Sequence, residues 1–89
     1  MIATVEISMY ALTDDYASKV IDFIQRVKKH PNIRVEVNGL STQLFAEYDY
    51  LMDVLKKEMK NEFENGKAVF VLKLAGTELT KEQLPEQLK

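Results

Sequence analysis

The chain contains no cysteine and only one histidine, His30. Without cysteine there is no disulfide, no thiolate metal site and no cysteine nucleophile, and this composition fits a reducing compartment. The single histidine gives no metal-ligand spacing, and no serine has a nearby histidine to activate it. The sequence therefore offers no argument for catalysis, and we expect a protein that is not an enzyme and holds no metal or cofactor.

Long apolar runs are also missing. No stretch approaches the ~20 residues that span a bilayer, and the N-terminus lacks a signal-peptide pattern. The net charge of -2 disfavours a dedicated nucleic-acid binder, which normally clusters lysine and arginine. These absences predict a cytoplasmic, soluble protein with no membrane and no nucleic acid among its partners.

The length of 89 residues predicts a single domain covering 1-89. A chain of this size buries only roughly 60–65% of its unfolded surface, so its core is thin. Since no disulfide reinforces that core, self-association is the expected additional source of stability.

Hydrophobic periodicity predicts four strands and two amphipathic helices. Apolar residues alternate with polar ones in the strands and recur every three to four residues in the helices. The predicted order is strand Ile2 to Tyr10, helix Thr13 to Lys29, strand Ile33 to Val37, strand Leu40 to Ala46, a helix from Tyr48 or Asp49 through Phe63, and strand Ala68 to Leu74.

The boundaries of the first helix rest on polar residues. Thr13 is the predicted N-cap, with Asp14 and Asp15 in the first turn, where the helix dipole favours negative charge. Pro31 ends the helix, because the residue before proline is pushed out of the helical region. His30 is interpreted as a partner of the helix C-terminal dipole.

Turn residues define the remaining boundaries. Asn38-Gly39 predicts a type I′ hairpin turn, and Gly66 predicts a left-handed residue after the second helix. In the polar tail, 77-89, the sequence predicts a capping box at Thr80 and Gln83 and at most about one helical turn before Pro85.

This βαββαβ order predicts an α+β fold, a ferredoxin-like sandwich with both helices on one face of a four-stranded antiparallel sheet. The usual strand order in that fold is 4-1-3-2. Strands 1 and 3 are then central and antiparallel, so the end of one lies beside the start of the other.

The central strands carry polar and aromatic side chains on the face away from the helices. Alternation places Ser8 and Tyr10 on that face of strand 1, and Ser41, Gln43 and Phe45 on that face of strand 3. Hydroxyls and amides both donate and accept, and the rings can stack, which suits a small heteroaromatic ligand. The alternative is an ordinary face, exposed to solvent or packed in an oligomer.

The loop between strand 1 and the first helix limits the charge of any ligand. It contains Asp14 and Asp15 but neither glycine nor arginine, which phosphate sites at this position would use. Dipole stabilisation of the helix alone also explains these two residues. The loop disfavours phosphate and tolerates a neutral or cationic ligand.

Two segments resemble the signature stretches of a known family. Ile7 to Tyr16 (ISMYALTDDY) and Ser41 to Asp49 (STQLFAEYD) are similar to those of the YkoF-like thiamine/hydroxymethylpyrimidine-binding family, and Ala68 to Lys73 (AVFVLK) is similar to a strand of that family. Ala11 departs from the pattern, in which proline is expected. The resemblance extends to about Leu74.

The resemblance implies a ferredoxin-like domain that binds thiamine or hydroxymethylpyrimidine without converting it, as a carrier or sensor. It also implies self-association as a homodimer or homotetramer, because this chain has a single copy of a domain that some members carry in tandem. Alternation turns Thr42 toward the helices, but it is retained among the predicted lining residues: Ser8, Tyr10, Asn38, Ser41, Thr42, Gln43 and Phe45.

Two other functions remain open. A single-strand RNA binder would use aromatics on the same central strands, Tyr10 and Phe45, but the charge balance opposes it. A structural or regulatory oligomerisation domain would bury the polar sheet face in an interface and bind no small ligand.

Overall fold

A computed structural model describes all residues from 1 to 89. Six main elements follow one another in the predicted order, and two short 3-10 turns end the chain. They are β1 (Ile2–Ala11), α1 (Tyr16–Lys28), β2 (Arg34–Val37), β3 (Thr42–Glu47), α2 (Tyr48–Glu64), β4 (Ala68–Ala75) and the turns Lys81–Gln83 and Glu86–Leu88.

The four strands form one antiparallel sheet in the order β2-β3-β1-β4. Read from the other edge, this is the predicted order 4-1-3-2, and the α+β ferredoxin-like fold is confirmed. The register sets Glu6 of β1 opposite Gln43 of β3 and Lys73 of β4. Paired residues point to the same face, so these side chains share the sheet face away from the helices.

The core lies between the other sheet face and the helices. Ala3, Val5 and Ile7 of β1 and Leu44 and Ala46 of β3 are buried there. The helices cover them with a second set of buried residues: Phe23, Val27, Leu51, Val54 and Leu55. Strict alternation in the strands explains this layer, because every second side chain meets the helices.

Helix α1 starts later than predicted. It begins at Tyr16 with Asp15 as N-cap, which makes no side-chain capping bond, and no acidic residue lies in its first turn. The prediction of Thr13 as N-cap was therefore wrong. Strand β1 continues to Ala11, and the N–H of Leu12 still donates to the carbonyl oxygen of Lys67 (2.9 Å). The four residues 12–15 are then needed to turn the chain onto the sheet.

The β2–β3 connection is in the predicted place but is not a type I′ turn, because neither Asn38 nor Gly39 has a positive φ. The strand pairing ends at Val37 and Thr42, which leaves a loop of residues 38–41. The Asn38 Oδ1 atom accepts hydrogen bonds from the N–H groups of Leu40 (2.8 Å) and Ser41 (3.1 Å). This side chain shapes the loop in place of left-handed backbone.

The only left-handed residue in the chain is Asn32, with φ of 62°, in the connection after Pro31. Asparagine tolerates this conformation better than most residues, because its short side chain bonds locally. Gly66 has no positive φ, so the predicted left-handed end of α2 was wrong. Asn65 ends that helix instead, and its Nδ2 donates to the carbonyl oxygen of Asn61 (2.7 Å).

Glu47 is the N-cap of α2. Its carboxylate accepts a hydrogen bond from the N–H of Tyr50 (3.0 Å). The N–H groups of Tyr50 and Asp49 hold the pKa of Glu47 below its ordinary value, because they stabilise the ionised form. The charge also faces the positive end of the helix dipole.

Charged residues continue the buried stripe of α2. Glu58 and Glu62 follow Leu51 and Leu55 toward α1, and both are buried. Arg26 of α1 pairs with both carboxylates, at 2.9 Å from Nε to Glu58 Oε1. His30 donates from Nε2 to Glu58 Oε2 (2.7 Å), so its contact is with the other helix.

Helical spacing predicts an apolar stripe on α2 made of Leu51, Met52, Leu55, Met59 and Phe63, but only Leu51 and Leu55 of these are buried. Met52 and Met59 pack at the border of the core, while Phe63 is largely exposed and meets Phe70 edge-on, with ring centroids 5.5 Å apart. The buried row of α2 thus runs through Leu51, Leu55, Glu58 and Glu62, at helical spacing, and Phe63 lies outside it.

The C-terminal segment crosses the sheet face opposite the helices. Thr4 Oγ1 donates to the carbonyl oxygen of Thr77 (2.8 Å) and accepts from the N–H of Leu79 (2.8 Å). Beyond it, the predicted capping box of Thr80 and Gln83 is present in a single 3-10 turn. A second short turn follows Pro85, which the sequence did not predict.

Candidate functional site

A cavity of about 660 Å³ lies where the end of β1, the 38–41 loop and the first half of α1 meet. Strand β1 contributes residues 7–11, followed by Leu12, and the loop contributes residues 38–41 together with the adjoining Val37 and Thr42. The helix contributes the side facing the sheet: Tyr16, Ala17, Val20, Ile21 and Ile24. Five of the seven predicted lining residues belong to this cavity: Ser8, Tyr10, Asn38, Ser41 and Thr42.

The cavity exists because β3 leaves β1 early. The ladder between these strands ends at Ile7 and Thr42, although β1 continues to Ala11. The register would next place Leu40 opposite Met9, but the loop bends away and leaves Leu40 88% exposed. The space that a longer β3 would fill is open.

The hydroxyl groups of the site differ in their partners. Ser41 Oγ donates to Glu6 Oε2 (3.1 Å), which holds it on the sheet face away from the helices, where β-strand alternation also places Ser8. Thr42 lies on the helix side and is buried, but its hydroxyl has no protein partner. Because no fully buried polar side-chain atom lacks a partner, this hydroxyl has access to the cavity.

Asn38, at the edge of the cavity, stabilises the 38–41 loop. Its carboxamide oxygen accepts the two loop N–H groups, and its Nδ2 makes no hydrogen bond within the protein. The free amide group is a donor available to a ligand.

Two predicted residues lie outside the cavity. Gln43 adjoins a smaller cavity of about 240 Å³ on the sheet face away from the helices, beside Thr4, Glu6 and Leu79. Phe45 is only 4% exposed, and the Arg34 guanidinium carbon lies 3.8 Å from its ring centroid. It pairs with Thr4 in the ladder, far along β3 from the loop. Gln43 and Phe45 therefore do not line the cavity that the other five residues share, although Gln43 lies opposite Glu6, the hydrogen-bond partner of Ser41.

Tyr16 also lines the cavity, although its helical spacing with Val20 and Ile24 predicts a place on the apolar stripe of α1. Tyr16 is exposed, and Val20 and Ile24 of the same row are only half-buried. Tyr10 and Tyr16 are both more than half exposed, so two aromatic rings are available to a ligand. The sequence could have indicated this role, because Tyr16 lies at the start of the first helix and therefore at the same end of the fold as Tyr10.

The cavity has no charged lining residue. Asp14 and Asp15 belong to the loop between Leu12 and Tyr16, which both line it, and Glu6 bonds to Ser41 just outside. Positive charges also adjoin it, because Lys19 and Lys67 line a neighbouring cavity that shares Met9, Ala11 and Leu12. The interior itself offers hydroxyls, amide groups and apolar surface. Such a site can hold a flat, uncharged polar ring and tolerate a cation nearby.

Several solved structures share this fold. One is a protein from Thermotoga maritima assigned provisionally to thiamine biosynthesis or salvage, with a TM-score of 0.80, 17% identity, and coverage of 93% of this chain and 94% of that one. A domain of unknown function, DUF77, from Bacillus cereus gives 0.74 at 25% identity, with coverage of 100% and 91%. A protein from Streptococcus pneumoniae gives 0.79 at 20% identity, with coverage of 89% and 90%.

No protein-family model and no curated sequence matches the chain. The comparisons with solved structures thus show the fold. No helix combines the length and apolar character needed to cross a membrane. No group of three or more acidic or histidine side chains is arranged to hold a metal ion.

Proposed function

We propose that the protein binds thiamine or its hydroxymethylpyrimidine moiety in the cavity at the end of β1. It does so without converting the ligand, as a cytoplasmic carrier or sensor. The observation that carries the proposal is an uncharged cavity lined by hydroxyls, an amide and two exposed tyrosines. Its volume lies within the roughly 300–1,000 Å³ of small-molecule sites. The resemblance of the two sequence segments and the thiamine-linked description of the Thermotoga protein support it.

The chemistry of the ligand matches the lining. An aminopyrimidine ring presents donors and acceptors on one edge and flat apolar faces, which hydroxyls, amides and tyrosine rings complement. The thiazolium of thiamine is cationic, and Asp14 and Asp15 flank the cavity in sequence between Leu12 and Tyr16. A phosphate group gains nothing from these carboxylates, so the unphosphorylated forms are favoured.

Calorimetric titration with thiamine and with hydroxymethylpyrimidine tests the proposal. Thr42→Val preserves shape and removes the unpartnered hydroxyl, so binding should weaken by about 0.5–1.5 kcal/mol if that hydroxyl bonds to the ligand. Ser18→Ala is the matched control, because Ser18 is exposed on α1 and does not line the cavity. Absence of heat with both ligands up to millimolar concentrations would refute the proposal.

A second candidate function is a self-association domain, and the exposed edge of the sheet favours it. Strand β4 is an edge strand of eight residues, with Lys73 as its only charge and with Val69, Val71, Leu72 and Leu74 exposed. Long apolar edges of this kind pair readily with another chain. Beside it, Met52, Met59, Phe63 and Leu72 line an apolar groove. We propose that two copies pair through β4, and that such dimers are the unit from which a tetramer could form.

Light scattering coupled to size exclusion tests this association. Leu72→Lys places a charge on the edge and should shift the protein toward monomer, whereas Gln25→Lys adds the same charge to an exposed position of α1 and should not. An assembly that is unaffected by Leu72→Lys would contradict pairing through β4. A dimer that binds neither thiamine nor hydroxymethylpyrimidine would favour the purely structural function.

The RNA-binding alternative receives little support. Tyr10 offers an exposed ring, but Phe45 is buried beneath Arg34 and presents no face on which a base could stack.

A further inference from the structure

The main chain of β1 is unpaired where it borders the cavity. In an antiparallel sheet, the N–H and C=O of one residue point to one neighbouring strand and those of the next residue to the other. The Leu12 N–H donates to Lys67 next to β4, and the Tyr48 N–H donates to the carbonyl oxygen of Met1 next to β3 (both 2.9 Å). Odd-numbered residues of β1 therefore present their main-chain groups to the β3 side.

Met9 and Ala11 are the odd-numbered residues beyond the last β1–β3 pair, Ile7 and Thr42. Leu40, which the register places opposite Met9, has its N–H bound to Asn38 Oδ1. No loop hydrogen bond replaces the missing ladder at Met9 or Ala11. Both residues line the cavity, so their N–H and C=O groups face it as free donors and acceptors.

We infer that the Met9 N–H and C=O recognise the amino group and adjacent ring nitrogen of an aminopyrimidine. This inference rests on the proposed function and states how the site selects its ligand. An extended residue presents a donor and an acceptor side by side. A 4-aminopyrimidine presents the reverse pair, an amino N–H beside an acceptor nitrogen, so two parallel hydrogen bonds form along the edge of the strand.

The surroundings favour a ring over an added peptide strand. Strand addition needs a row of free main-chain groups, and here only two residues are free before the chain turns toward α1. Helix α1 closes one side of the cavity with the side chains of Tyr16, Val20 and Ile24. A single flat ring fits this short gap, with Tyr10 and Tyr16 available to its faces.

The discriminating probe is oxythiamine, in which a carbonyl and a ring N–H replace the amino group and the acceptor nitrogen. The Met9 N–H would then face the ring N–H, and the Met9 carbonyl oxygen would face the ring carbonyl oxygen, so neither hydrogen bond could form. A site that pairs with a polar edge binds such analogues much more weakly. We expect calorimetry to show oxythiamine binding at least tenfold more weakly than thiamine. Equal binding of the two would overturn the inference while the proposed function stood. Binding of neither would overturn the proposed function, and the inference with it.

A backbone variant locates the contact. Met9→Pro removes an N–H that the β1–β4 ladder does not use, as proline at a free strand edge allows, and Met9→Leu retains it. Thiamine affinity should fall at least tenfold in the proline variant relative to the leucine variant. Equal affinities in two folded variants would overturn the assignment to Met9.

An NMR measurement on the unmodified protein covers the case in which Met9→Pro does not fold. Addition of thiamine should shift the Met9 amide proton downfield and slow its exchange with solvent. The Leu12 amide, already bonded to Lys67, is the internal reference and should change little. An unchanged Met9 amide at saturation would contradict the inference.

Discussion

Asn38 controls the rim of the cavity through a single oxygen atom. Its Oδ1 accepts from two loop N–H groups, so replacing it with alanine leaves both donors to the solvent. We expect Asn38→Ala to lower the free energy of unfolding by about 0.5–1.5 kcal/mol, since these hydrogen bonds are exposed. Urea denaturation measures the change.

Asn38→Asp is the matched control for this prediction. Aspartate keeps the accepting oxygen and can form the same local turn, so most of the stability should return. An aspartate variant as unstable as the alanine variant would show that the oxygen does not hold the loop.

Individual site residues were predictable only as far as strand alternation determines them. Alternation placed Ser8 and Ser41 on one sheet face and turned Thr42 toward the helices, as the structure shows. It did not reveal that the Thr42 hydroxyl reaches the cavity, or that Arg34 covers Phe45. Those facts depend on where β3 leaves β1 and on packing between distant residues, which no local pattern encodes.

The two helices are joined by charges within their apolar contact. Arg26 carries the only guanidinium next to Glu58 and Glu62, whose side chains are each 7% exposed. Arg26→Leu leaves two buried carboxylates without this partner, so we expect a loss of about 3 kcal/mol in unfolding free energy. Thermal and urea unfolding measure it.

A triple variant distinguishes two causes of this loss: the missing attraction to Arg26, and the cost of burying two carboxylates without a partner. If Arg26→Leu, Glu58→Leu and Glu62→Leu are combined, no carboxylate remains to be desolvated, and most of the stability should return. A triple variant less stable than Arg26→Leu alone would show that the ion pairs themselves stabilise the helix contact.

The same cluster predicts a pH dependence. Burial alone would raise the pKa of Glu58, but the hydrogen bonds from His30 and Arg26 outweigh it and hold the pKa below the ordinary 4.5. The folded state therefore binds fewer protons than the unfolded state in this range. The resulting stability is present above pH 4.5 and is lost as the pH falls through the lower folded value.

Urea midpoints measured across this acidic range test the linkage. Glu58→Gln should show a shallower fall in stability than the unmodified protein, because the titrating group is gone. Glu64→Gln is the control, since Glu64 is exposed on the same helix and forms no ion pair. Equal slopes for the Glu58→Gln variant and the unmodified protein would contradict the assignment.

The elements themselves were largely predictable, and their ends were not. Period-two and helical patterns located all four strands and both helices, because one face of each must be buried. The caps differed: Asp15 rather than Thr13 precedes α1, and Asn65 rather than a left-handed Gly66 ends α2. The position of a helix end depends on how far the neighbouring strand continues. Strand β1 continues to Ala11, and α1 therefore begins only at Tyr16.

At the scale of the whole molecule, one hydroxyl attaches the C-terminal segment to the sheet. Thr4 is nearly buried, and its Oγ1 both donates to Thr77 and accepts from Leu79. Glu78 also lies 3.5 Å from Arg34. The core of this chain is thin, and the C-terminal segment covers part of the sheet face that the helices leave free, around Thr4.

Thr4→Val retains the shape of the side chain and removes both hydrogen bonds. We expect faster hydrogen exchange at the Leu79 amide and a loss of about 1–2 kcal/mol in unfolding free energy, because the Leu79 N–H and Thr77 carbonyl lose a partner at a partly buried position. Thr4→Ser keeps the hydroxyl and should preserve Leu79 protection. Since Thr4 lies at the opposite end of β1 from the cavity, thiamine affinity should be unchanged in both variants. Unaltered Leu79 exchange in the valine variant would mean that other contacts hold the segment.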